Sequence, residues 1–155
     1  MDTTVPVATR RMAPSLKRLL LAINAVTLLP LAVWPLVSPT NFYKTFPGFG
    51  MHWIDLNGPY NEHFIRDFGA LNAALLVVVV YALFKPSIEQ AAGFAVAIYA
   101  LPHAIYHLGH LDVYPSSEKI PAVAPLVLQI FMGLAIGLLP SPSSPDQTPA
   151  LDRTT

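Results

Sequence analysis

Four long apolar runs set the pattern of this chain, the first two separated by a long aromatic-rich interval and the others by short polar ones. The first covers 19–37, "LLLAINAVTLLPLAVWPLV". The second covers 60–84 and is nearly unbroken from Phe68 on, "FGALNAALLVVVVYALF". The third covers about 88–111 and the fourth about 120–139. Each offers the ~20 residues a helix needs to cross about 30 Å of hydrocarbon. The pattern therefore predicts an all-α fold, a four-helix transmembrane bundle over residues 19–139. The first run is long for the apolar core of a secretion signal, and no convincing small-x-small site follows it, so it reads as an uncleaved helix. Residues 1–18 form a basic head. Residues 140–155, "PSPSSPDQTPALDRTT", have no apolar face to bury and are expected to be a disordered tail.

Lysine and arginine placement predicts the orientation. With the N-terminus inside, Arg10, Arg11, Lys17, Arg18, Lys85 and Arg153 fall on the cytoplasmic side, and Lys44, Arg66 and Lys119 on the outer side. Six against three favours both termini in the cytoplasm, in a multi-pass protein of the cell membrane. The outer loop 38–59 is rich in aromatic residues, Phe42, Tyr43, Phe46, Phe49 and Trp53, with Tyr60 just beyond. It reads either as a connector at headgroup level or as a lid over the outer end of the bundle. Asn57 or Gly58 is the expected cap of the second helix, with Pro59 near its first turn.

Composition agrees with the pattern and narrows the chemistry. Charged residues make up 12% of the chain, against roughly 25% in soluble domains. The net charge is zero and no basic patch points to nucleic acid. With no cysteine, disulfides, thiolate metal sites and thiol redox chemistry are excluded.

Against this background, "LPHAIYHLGHLD" at 101–112 stands out. His103, His107 and His110 follow each other at helical spacing and share a face with Tyr99, Tyr106 and Tyr114. On the second span, Glu62, His63, Arg66 and Asp67 fall within one arc of about 140°. Ala70, Ala73 and Ala74 continue that arc, with Phe64, Phe68, Leu71 and Leu75 opposite. Small residues allow close helix contact, so the charged arc is expected to face inward. The turn around Lys85-Pro86-Ser87 makes the two spans antiparallel, and Glu62 and His110 both lie 24 residues from Pro86. At about 1.5 Å per residue the two polar sets reach the same height in the outer half of the bundle. The expectation is that they face each other across a shared pocket of Glu62, His63, Arg66, Asp67, Tyr99, His103, Tyr106, His107 and His110. The competing reading keeps Glu62 to Asp67 among the headgroups, with Glu62–Arg66 an ordinary i,i+4 pair.

Three kinds of chemistry fit such a cluster. His63, His103 and His107, with a carboxylate, could hold a divalent metal, or His63 and His107 could ligate haem. A hydrogen-bonded pocket could bind a small polar or lipid-derived molecule, with Arg66 holding an acid, or could relay protons. A polar plug could instead fix helix pairing in a structural subunit of a membrane complex. No nucleophile motif is visible, so enzymatic activity is left open. Asn24, Thr27, Asn72 and Gln129 read as hydrogen-bonding links between helices. Gly133 and Gly137 form a GxxxG motif that suits either an internal helix contact or a homodimer face.

At "NEHFIRDFGALNAALLV" the chain resembles the small four-span DoxX-like membrane proteins, in which an arginine closely followed by glycine opens an inward-facing second helix. Arg66 and Gly69 are the matching positions. The resemblance covers the four-span plan of 19–139 and implies a compact helical bundle, with a role beside membrane redox systems in some relatives. The histidine face at 103–110 has no counterpart in that pattern.

Overall fold

The computed structural model describes residues 8–140, with side chains described from Leu16 onward. In chain order the elements are α1 (Ala8–Val37), α2 (Pro39–Thr45), β1 (Pro47–Gly48), β2 (Met51–His52), α3 (Glu62–Phe84), α4 (Glu89–Gly109) and α5 (Lys119–Leu138). Four segments are long and apolar enough to cross a membrane: Leu16–Val37, Glu62–Phe84, Pro86–Gly109 and Lys119–Leu138. The all-α four-helix bundle read from the sequence is the observed architecture. Its flanks carry large apolar side chains in the open, among them Val37, Phe64, Phe84, Ile98 and Ile120, each at least 67% exposed. In water such a surface would aggregate; in a bilayer it is the solvated face. The disorder expected of the tail falls on residues that, from 141 on, lie outside those described.

Element boundaries differ from the sequence reading in two informative places. Helix α1 runs upstream of residue 19, and Lys17, assigned to the polar head, is fully buried in the bundle. Helix α3 is capped by Asn61, whose Oδ1 accepts a hydrogen bond from the Phe64 amide at 3.2 Å, not by Asn57 or Gly58.

The helices pair as two hairpins. Helix α1 packs on α3, and α4 packs on α5; contacts between the hairpins are sparser. Glycine explains both close pairings. A Cβ at Gly93 would stand 2.5 Å from the Gly137 backbone nitrogen, and one at Gly133 would stand 2.6 Å from that of Ala97. The GxxxG motif of α5 is thus used inside the molecule, against α4. In the other hairpin a Cβ at Gly69 would meet the side chains of Leu36 and Pro35 at about 3 Å. Between the hairpins, Leu21, Leu28, Leu75, Val79, Ala82, Ala92, Val96 and Ile136 form the buried core. Beneath it, Lys17 Nζ on α1 stands 3.8 Å from Glu89 Oε2 on α4, with both side chains buried.

Residues 38–61 fold over the opposite end. Helix α2 begins on Pro39, which suits a first turn because its missing N–H has no partner to lose. Strands β1 and β2 pair antiparallel through a tight turn at Phe49 and Gly50, both at positive φ (58° and 82°), the turn type that matches strand twist. Phe49 is 97% exposed there, whereas Phe42 of α2 is buried.

Candidate functional site: a cavity beneath the loop

Between the hairpins, at the end covered by 38–61, lies a cavity of about 530 Å³. All four long helices contribute to its wall: Thr27 and Leu31 from α1, Ile65 and Phe68 from α3, Tyr99 and His103 from α4, Gln129 and Met132 from α5. Phe42, Phe46, Trp53, Ile54 and Asn57 cover it from the loop, so this segment is a lid over the site. Seven aromatic rings, six of them lining the cavity, make a continuous circuit of edge, tilted and stacked contacts: Phe42, Phe46, Trp53, Tyr114, His107, His103, Phe68 and back to Phe42. Offset and edge-on rings attract through their quadrupoles, so the circuit can hold its shape around open space.

The polar groups of the wall lie mainly on α4. Tyr99 OH donates to Asn72 Oδ1 at 3.0 Å, linking the hairpins at the cavity floor; Asn72 Nδ2 in turn donates to the Phe68 carbonyl. One turn higher, His103 Nε2 and His107 Nε2 are 3.0 Å apart. The Tyr114 hydroxyl reaches His107 Nδ1 at 2.8 Å, and Asn57 Nδ2 reaches the Tyr114 oxygen at 2.7 Å. Asn57 Nδ2 also donates to the Trp53 carbonyl, and Trp53 Nε1 donates to Glu118 Oε2 at 2.8 Å. These contacts fasten the lid to the segment after α4. Tyr114 is buried outside the spans, and burial holds its phenol above the ordinary value of 10.0, so it keeps its proton. Asn57 Oδ1 is buried with no partner among the described residues.

The structure does not bring the charged arc of α3 to this wall. Glu62 and Arg66 pair on their own helix at 2.8 Å, His63 and Asp67 do so at 3.4 Å, and all four side chains are largely exposed. Arg66 Nη1 donates to the Leu36 carbonyl at 2.6 Å, one of the last carbonyls of α1, which a cation at a helix C-terminus satisfies well. The expected facing of the two polar sets is therefore replaced by a wall that α4 builds with Asn72, Tyr114 and Asn57. The physical reason lies in α3. Its buried stripe runs through Ile65, Gly69, Asn72, Leu75, Val79 and Ala82, about 160° around the helix from the charged arc. Gly69 fixes that rotation by admitting α1, while charges in the first turns need no burial. Ala70 and Ala74 accordingly face outward.

Of the histidines, His103 and His107 line the cavity. His110 does not; it stacks on Tyr106 with centroids 4.1 Å apart and is exposed. Tyr106 lies on the cavity's edge. The three-ligand set of His63, His103 and His107 is not assembled, and neither is a facing His63–His107 pair for haem. Among the described residues no three of His, Asp or Glu gather closely enough to hold a metal ion.

Sequence reading missed Asn57, taken for a turn residue, and Trp53, taken for a headgroup anchor. Both act at a distance of more than 50 residues, on Tyr114 and Glu118, and carry no local signal. Lys17–Glu89 left a faint one, an acid at the start of an apolar run. No protein family, curated protein or solved structure matches the chain.

Proposed function

We propose that this integral membrane protein binds one small, mostly apolar molecule in the cavity between its hairpins, its polar head against Tyr99, His103 and His107. The observation that carries the reading is the wall itself. Hydrocarbon and aromatic side chains enclose most of about 530 Å³, and a few hydrogen-bonding groups converge on one side, as in small-molecule sites generally. The edge of the cavity also favours a lipid-soluble ligand. Ile23 and Thr27 of α1 and Pro125 and Leu128 of α5 line it and are themselves exposed on the flank of the bundle. They lie well within the spans, so the opening faces hydrocarbon, while the lid closes the end.

The protein sits in the cell membrane with both tails cytoplasmic, on the lysine and arginine bias of its loops. The bilayer is its first partner. A second copy or another membrane protein would dock on the exposed flanks, since α4 occupies the glycines of α5. Kinship with DoxX-like proteins rests on Arg66 and Gly69, which tie α3 to the end of α1.

Organic extraction of the purified full-length protein, followed by mass spectrometry, tests the reading. About one equivalent of a lipid-soluble compound is expected, and Leu126→Trp, which fills the cavity, should lose it. A protein that carries no such compound, and whose Trp53 emission in a Trp34→Phe background is not quenched by brominated long-chain hydrocarbons, would sink it.

A further inference from the structure

Hydrogen-bond polarity can be followed atom by atom along the cavity wall. The Trp53 carbonyl only accepts, so the Asn57 atom 2.7 Å from it is the amide nitrogen. The second hydrogen of that nitrogen points to the Tyr114 oxygen. The Tyr114 hydroxyl is buried and has no other acceptor among the described residues, so it gives its own hydrogen to His107 Nδ1. His107 then carries its proton on Nε2 and donates to His103 Nε2. A neutral His103 with Nε2 occupied as an acceptor bears its proton on Nδ1. That N–H has no protein partner among the described residues, and His103 lines the cavity.

The chain also ends in a way that decides its role. Asn57 is an amide and releases no proton, and Tyr114 is buried, so the sequence of bonds has no source of protons at its lid end. It fixes a tautomer and does not conduct.

We infer that His103 presents a fixed N–H donor to the cavity, set by Asn57, Tyr114 and His107 behind it, and that the ligand is a lipid-soluble carbonyl compound, a ketone, quinone or ester, whose oxygen accepts that hydrogen bond. The inference rests on the cavity being a ligand site. At His103 a cationic head is rejected, because an ammonium offers only donors to a donor, and the unpaired Asn57 Oδ1 is itself buried. A plain hydrocarbon fits the walls but leaves the N–H unpaired. Tyr114 and His107 are positioning residues, acting through His103.

The test uses the full-length protein in an ester-free detergent with three probes of equal chain length: 2-tridecanone labelled with ¹³C at the carbonyl, tridecane and tridecylammonium. The ketone is expected to bind about tenfold more tightly than either of the others, the worth of one hydrogen bond in a dry site. Its ¹³C=O infrared stretch should move to lower frequency when bound. His103→Phe should abolish both the preference and the shift, with tridecane binding retained. His103→Gln, which keeps an N–H at similar reach, should restore much of each. Tyr114→Phe should weaken the preference without changing tridecane binding. Transfer to phospholipid nanodiscs separates two carbonyl sources: a lower apparent affinity for the ketone than a chain-matched ether lipid produces would make the membrane ester the occupant, and no change a free carbonyl compound. Equal binding of all three probes would overturn the inference and leave the cavity reading standing. Tighter binding of the ammonium would overturn it too, by showing a bare nitrogen at His103. No binding of any probe would remove both.

Discussion

At the end where α3 turns into α4, the helices meet through apolar side chains of the buried core, with the enclosed Lys17–Glu89 pair beneath. At the other end the same four helices stand apart around about 530 Å³, spanned by aromatic rings and capped by a loop. One end is packed as a core; the other is packed as a wall. The difference teaches where stability and binding are divided. In hydrocarbon there is little hydrophobic drive between helices, so close contact and buried polar links must hold them. The packed end and the glycine seams supply these, which leaves the open end free to forgo contacts that a filled core would make.

The comparison breaks most readily at the glycines. Gly93→Leu must displace the α5 backbone, and a cost at or above the upper end of overpacking, about 3 kcal/mol, is expected in thermal unfolding of the detergent-solubilised protein. An unchanged midpoint would mean that the α4–α5 seam is not what secures the bundle. Next comes the buried pair. Glu89→Ala removes the carboxylate beside the buried Lys17 ammonium and should destabilise by up to about 3–5 kcal/mol, whereas Lys17→Met with Glu89→Leu should cost far less. Chemical denaturation of both variants checks the contrast; equal losses would argue that Lys17 is held by other contacts.

The open end should respond differently. His107→Phe keeps a ring in the aromatic circuit but leaves the buried Tyr114 hydroxyl without its acceptor, and should cost about 1–2 kcal/mol, less than either change at the packed end. It should nevertheless weaken ligand binding about tenfold, because the donor to His103 is gone. A variant that unfolded would place the structural load on the wall. Tyr99→Phe, at the boundary between the two regions, removes one link between the hairpins and should cost about 0.6 kcal/mol.

The smallest effect is at the lid surface. Asp55 accepts from His52 at 2.6 Å and, first through that hydrogen bond and then through its charge, raises the His52 pKa above the ordinary value of 6.5. A raised value means that the protonated pair helps the turn below pH 6.5 and is lost as pH climbs through the raised pKa. Proton NMR of the His52 ring should show that elevated midpoint, and Asp55→Asn should return it toward 6.5. A midpoint that Asp55→Asn leaves in place would assign the shift to another neighbour.

Sequence alone determined the number and approximate limits of the spans, because twenty or so apolar residues in a row have few other homes. It also put His103, His107, Tyr99 and Tyr106 on one face, since helical periodicity is a local property. It did not determine which way α3 turns. Charge and small side chains marked one arc as inward, but Gly69 set the rotation by admitting α1, and that contact lies more than 30 residues away in the chain. Tyr114 was legible as part of the histidine face, yet its partner Asn57 was not, because only the folded lid places an amide beside that hydroxyl. Tertiary structure likewise decided that Gly133 and Gly137 are spent on α4, that Lys17 is buried, and that space remains between the hairpins. Periodicity tells which residues share a face; only the nearest approach of another helix tells what that face meets.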